Sequence, residues 1–210
     1  MTAGGAIGGG ASTHPSVRGA GSDTLFPMSP PSGQEQRAPE LPRHIVVTGL
    51  MGVGKTTTGR LLAERLGRTW RDSDVDIEAA TGLTVRELRD REGVDAMHAR
   101  EAAQLLDALA DPDPNVVSAA ASVVDVPACR QAMARADVGV VWLRARPDVL
   151  ATRFDSGDDH RPAYGASPEA FLAEQAARRE PLLPAVGARI VDVDGLDPDE
   201  VVARTIEALG

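Results

Sequence analysis

Gly49-Leu50-Met51-Gly52-Val53-Gly54-Lys55-Thr56 contains Lys55, the only lysine in a chain of 210 residues whose other cationic side chains are all arginine. The spacing fits G-x-x-x-x-G-K-[ST], with a β-branched run, Ile45-Val46-Val47, before it and helical periodicity after it. Glycines let the backbone fold around a phosphate with its N–H groups turned inward, and the helix start adds positive potential. Lysine supplies a compact charge on a flexible stem that can follow a phosphoryl group, which the planar arginine fork does less well. Thr56 offers a hydroxyl to Mg²⁺. The nucleotide-binding set is therefore Gly49, Gly52, Val53, Gly54, Lys55, Thr56 and Thr57.

A GTPase of this kind reads its base with N-K-x-D, which a chain with one lysine cannot contain. An ATPase commonly carries an acid at the end of an apolar strand. Val116-Val117-Ser118 and Val138 to Leu143 end without one, while Asp192 and Asp194 fall on the last strand, late in the topology. The acid expected near the metal is instead in Asp72-Ser73-Asp74, after the second strand, where a parallel sheet presents its carboxyl edge. A carboxylate there can sit by a cation or orient an attacking hydroxyl.

The elements that must position these groups alternate along the chain. Strands are expected over Ile45 to Val47, Thr69 to Asp72, Asn115 to Ser118, Val138 to Leu143 and Arg189 to Val193. Helices are expected over Thr56 to Leu66, Asp74 to Ala80, Thr84 to Glu92, Val94 to Ala110, Pro127 to Ala136, Pro147 to Phe154, Pro168 to Glu180 and Pro198 to Leu209. The alternation implies an α/β fold with a parallel sheet of about five strands flanked by helices. A polar stretch, Asp155 to Ser167, is expected to form a mobile lid. Met1 to Pro42 holds 8 of the 21 glycines and 6 of the 15 prolines and reads as a disordered tail ahead of a P-loop domain over residues 43–210.

Composition narrows the partners. Net charge is −9 and aromatic content 3%, which disfavours nucleic-acid binding by charge or by stacking. No apolar run is long enough to cross a membrane, and the N-terminus has no basic-then-apolar leader. Cys129 is the only cysteine, as suits a reducing compartment. A cytoplasmic protein, expected as a monomer and acting on a small molecule, is the reading.

From Arg43 to Leu209 the chain resembles the shikimate kinases. The resemblance rests on the P-loop, then Gly59-Arg60-Leu61-Leu62-Ala63, Asp72-Ser73-Asp74, Ile77-Glu78, Thr81-Gly82, Gly93 and Glu101. It continues through Arg161-Pro162, Arg179-Glu180-Pro181-Leu182 and the run Val191 to Asp194. It implies ATP and Mg²⁺ as cofactors and transfer of the γ-phosphoryl group to a hydroxyl of shikimate, a step of aromatic amino-acid biosynthesis. It puts Asp72 with Thr56 on the metal and Asp74 by the attacking hydroxyl. Arg161 would reach the transferring phosphates from the lid, and Arg179 would hold the substrate carboxylate. The chain departs from the family where three glycines are usual, carrying Ala120, Ala121 and Ser122, and where an arginine clamps the substrate, carrying His98. Arg89 and Met97 replace usual aromatics. If the backbone kept a left-handed glycine geometry, Ala120 to Ser122 would be strained by roughly 1–2 kcal/mol each; the pocket is thus expected to be tighter or its backbone different. The nucleotide side looks intact and the acceptor side rebuilt. Three readings follow: a shikimate kinase, a related kinase with another polyol or cyclic acid as acceptor, and a silent nucleotide-binding paralogue.

Overall fold

β1 (His44–Gly49) is the middle strand of a five-stranded parallel sheet, and all six of its residues are buried. The computed structural model describes residues 41–154 and 167–210. Strand order is β2 (Thr69–Asp72), β3 (Asn115–Ser118), β1, β4 (Val138–Arg144), β5 (Arg189–Asp192). Its centre reads as continuous apolar runs because a parallel sheet covered on both faces leaves no residue for solvent. Ile45, Val46, Val47, Val116, Val117, Val141 and Leu143 are fully buried, and Trp142 is nearly so.

α1 (Lys55–Leu66) and α8 (Pro198–Leu209) pack on each other and on the sheet. α4 (Val94–Ala110) and α5 (Pro127–Met133) form a second layer with a 3₁₀ segment over Ala121–Asp125. α2 (Ser73–Thr81) and α3 (Val85–Glu92) lead from β2 into α4, and α6 (Pro147–Phe154) packs on α7 (Pro168–Arg179). A second 3₁₀ segment, Glu180–Val186, links α7 to β5.

The ends of these elements follow local chemistry. α1 stops at Gly67, whose left-handed backbone (φ 62) lets its N–H reach back to Ala63 and Glu64. α3 begins with a capping box between Thr84 and Glu87, and α8 with one between Asp197 and Glu200. α5 ends at Met133, three residues before the expected Ala136. Arg135 there turns its guanidinium to Asp137 and to the Leu109 carbonyl, tying the turn to the end of α4. The last turn expected for α7 at Glu180 is instead the first residue of the 3₁₀ segment, in which Pro181 and Pro184 cannot donate α-helical bonds.

All described residues fall in one compact unit. Within it, Pro42 already packs on the domain: its carbonyl accepts from Arg68 Nη1 at 2.6 Å, and Gly139 on β4 has no Cβ to obstruct its ring. Of the expected tail, Met1 to Pro42, residues 1–40 lie outside the described residues, and of the expected lid, Asp155 to Ser167, so do residues 155–166 with Arg161. Pro42 instead belongs to the domain, and Ser167 caps α7, its side chain accepting from Ala170 N. Among the described residues no helix is long and apolar enough to cross a membrane.

Candidate active site

Register places the chemistry. β2 and β3 pair so that Asp72 lies opposite Ser118, and β1 pairs with β3 so that Ser118 lies opposite Val47. Three segments far apart in sequence thus end level at the carboxyl edge, where doubly wound sheets take ligands.

Here Gly54 (φ 102) turns the chain directly into α1 without a side-chain cap or an acid in the first turn. The helix start is therefore left positive. Gly49 (φ 145) and Val53 lie behind this loop. A Cβ on Gly49 would meet the Leu143 carbonyl oxygen at 2.4 Å, and Val53 is buried against it. They shape the loop, whereas Gly52, Gly54, Lys55, Thr56 and Thr57 line the cavity. Lys55 Nζ donates to the Leu50 carbonyl at 3.3 Å, holding the ammonium over the loop.

Thr56 Oγ1 donates to Asp72 Oδ2 at 2.9 Å. The other oxygen of Asp72 caps α2, accepting from Asp74 N at 3.0 Å and Val75 N at 3.5 Å. Burial, and then the neighbouring Asp74, push the Asp72 carboxyl above its usual range. A hydroxyl and a desolvated carboxylate side by side suit a small hard cation that keeps most of its other ligands as water and phosphate. Asp74 is exposed to the same cavity, where Ser73 Oγ donates to it at 3.2 Å.

Ser118 was not legible as a site residue. Its hydroxyl donates to the Lys55 carbonyl at 3.2 Å and accepts from Trp70 Nε1 at 3.0 Å, so β3, β2 and the first turn of α1 are pinned together. Gly59 makes this possible, since a Cβ there would sit 2.1 Å from Ser118 Oγ.

The cavity, about 1150 Å³, continues from the P-loop to a second wall made by α4, α7 and the loop after β3. Ala120, Ala121, His98 and Arg179 all line it, so the structure brings the expected acceptor residues together. The strain expected at Ala120 to Ser122 does not arise. Ala120 has φ −59, ψ 149, and Ala121 and Ser122 open the right-handed 3₁₀ segment, so the departure from glycine is met by an ordinary backbone. Ser122, now bearing a side chain, turns it inward to donate to Glu101 Oε2.

Glu101 lies one turn beyond His98 on α4 and is 5% exposed. Burial raises its pKa from 4.5 to about 7; the Ser122 hydrogen bond opposes this, Asp74 adds to it, and Lys55 and Arg179 oppose it from farther away. His98 is half-buried. Burial first, then Arg179, lowers its pKa, leaving a neutral imidazole at neutral pH. Arg179 is buried, with Nη1 donating to Gln175 Oε1 and Nη2 2.9 Å from Asp125 Oδ2. Asp125 had no sequence signal, because its partner is 54 residues away. Asp192 and Asp194 lie outside this cavity, paired with Arg144 and Arg146.

A P-loop at the carboxyl edge of a five-stranded parallel sheet, facing a carboxylate and a buried guanidinium across one cavity, defines a P-loop phosphotransferase acting on a hydroxyl. The shikimate kinase family model matches residues 51–210. The shikimate kinase of Halorhodospira halophila is 37% identical over 170 residues, which cover 80% of this chain and 94% of that protein. Shikimate kinase from Acinetobacter baumannii, solved in complex with shikimate, superposes with a TM-score of 0.70 at 28% identity, over 80% of this chain and 92% of that one. A gluconokinase from Sinorhizobium meliloti shares the fold at a TM-score of 0.54 and 24% identity, over 80% and 92% of the two chains. The chain belongs to the shikimate kinase family, whose members are ATP-dependent kinases.

Proposed function

We propose that this protein transfers the γ-phosphoryl group of ATP to a hydroxyl of shikimate, in aromatic amino-acid biosynthesis. The observation that carries the reading is the convergence, in one cavity, of the Thr56–Asp72 pair, the Lys55 loop, Asp74 and buried Arg179.

Lys55 and the N–H groups from Gly52 to Thr57 cradle the phosphates, concentrating positive charge where the transferring group gains negative charge. Mg²⁺, when bound, neutralises phosphate oxygens; Thr56 and Asp72 would hold it. Asp74 accepts or orients the acceptor hydroxyl at the sheet edge. Arg179 binds the acid at the other end of the acceptor, and His98 contributes one N–H where relatives are expected to offer a second guanidinium. The family resemblance gives Arg161 a place among the phosphates. Ala120 and Ala121 form the apolar side of the acceptor wall.

We read the protein as a cytoplasmic monomer that engages neither nucleic acid nor membrane. A net charge of −9 supports the absence of nucleic-acid binding.

Asp74→Asn tests the assignment of the acceptor carboxylate. Shikimate-dependent turnover should fall at least about a hundredfold, within the usual range for a lost general base, while ATP affinity stays within a factor of two or so. Undiminished turnover would place the acceptor hydroxyl elsewhere. The reading of a rebuilt acceptor side is favoured by His98 and by the ion pair on Arg179.

A further inference from the structure

The acceptor wall contains a carboxylate of the chain's own on the guanidinium that an acidic substrate needs. Asp125, the last residue of the 3₁₀ segment after β3, lines the cavity beside Arg179, Arg178, Gln175 and His98. Its Oδ2 accepts from Arg179 Nε at 3.2 Å, lies 2.9 Å from Arg179 Nη2, and accepts from Arg178 Nη2 at 2.7 Å. The Nε–Nη2 edge of a guanidinium is one that takes a carboxylate in two parallel bonds. On Arg179 that edge is filled by Asp125, and Nη1 is filled by Gln175. Arg179 is 5% exposed and Asp125 27%, so the pair is partly shielded from water and salt. Burial and Arg179 lower the pKa of His98 alongside, against the pull of Asp125.

We propose that Asp125 is a specificity-determining residue, an internal counter-carboxylate that weakens binding of acceptors carrying an acid at this end. It rests on the reading that the acceptor lies between Asp74 and Arg179. An incoming carboxylate must displace Asp125 from Arg179 or share the guanidinium with it, a like-charge approach in a half-buried site. An ester that is uncharged at this end meets no such opposition, and a polyol can in addition donate hydroxyl hydrogen bonds to Asp125. The chain therefore discriminates between acid and neutral acceptors less sharply than a site whose arginine is open.

The experiment measures binding of shikimate and of its methyl ester to the full chain carrying a non-hydrolysable ATP analogue, by calorimetry. Wild type is compared with Asp125→Asn and Asp125→Ser, and binding of the nucleotide analogue reports that each variant is folded. Removing the carboxylate should improve the ratio of acid to ester affinity by about tenfold or more, the usual range for one charged hydrogen bond. A ratio unchanged within twofold, a shift toward the ester, or no gain of shikimate affinity in either folded variant overturns the proposal. The proposed reaction fails by a different sign. Wild type without shikimate-dependent ADP release, joined to variants that gain acid affinity, would uphold Asp125's role and remove shikimate as the acceptor. Wild type with that turnover and variants with no gain would do the reverse.

Discussion

Glu101→Gln removes a proton rather than a shape. Glu101 is buried against Ser122, and its carboxyl pKa is raised from 4.5 to about 7, chiefly by burial. Between those two values the folded chain holds a proton that the unfolded chain has released. Stability from this group is therefore complete below pH 4.5 and is lost as pH rises through about 7. The slope is about −1.4 kcal/mol per pH unit in that window, so the contribution falls by about 2–3 kcal/mol between pH 5 and pH 8. Glutamine keeps the volume and a partner for the Ser122 hydroxyl but cannot ionise. Asp72, whose carboxyl is also raised, is present in both proteins and cancels in the comparison. Urea unfolding of wild type and Glu101→Gln at both pH values measures the difference. With a slope of roughly 2 kcal/mol per molar urea for a domain of this size, the wild-type midpoint should drop relative to the variant by about 1 M on going from pH 5 to pH 8. A relative midpoint that stays constant, or moves the other way, would show that Glu101 ionises at an ordinary pH and that its burial is relieved by water.

Two other substitutions probe the frame and the acceptor wall. Gly59→Ala puts a Cβ 2.1 Å from Ser118 Oγ and 3.1 Å from Trp70 Nε1. It should destabilise the chain by about 1–3 kcal/mol in chemical denaturation and raise the KM for ATP, because Ser118 anchors the Lys55 carbonyl; a neutral effect would mean the contact between α1 and β3 is loose. His98→Arg adds a fixed charge facing Asp125 and Asp95, with Arg179 and Arg178 opposing it. The KM for shikimate should fall about tenfold with the KM for ATP unchanged, and no gain would show that the missing arginine is not what limits acid binding.

The nucleotide side was legible because it is local. One lysine, three glycines and the strand before them specify the P-loop within a few residues, and Asp72 announces itself by ending a strand. The order of strands and helices was equally readable, since each element carries its own periodicity and stop signals, such as Gly67 after α1. The acceptor side is made of contacts between distant segments. Arg179 is 54 residues from Asp125, and Ser122 is 21 from Glu101. Neither pair leaves a spacing to find. The loop after β3 illustrates a second limit. Replacing glycines suggests strain only if the backbone is unchanged, whereas Ala121–Asp125 coils into a 3₁₀ turn in which side chains are acceptable. Both 3₁₀ segments were missed for the same reason, being too short to show a period.

The most direct test of the central claim is the product formed by the purified full chain given ATP, Mg²⁺ and millimolar shikimate. ADP release is followed by a coupled assay, and the acceptor is recovered for mass spectrometry. The account predicts ADP release that depends on shikimate, saturates at a KM raised by the Asp125–Arg179 pair, and yields one equivalent of a shikimate monophosphate. ATP binding with ADP release no greater than in the absence of shikimate, and no phosphorylated shikimate, would contradict it.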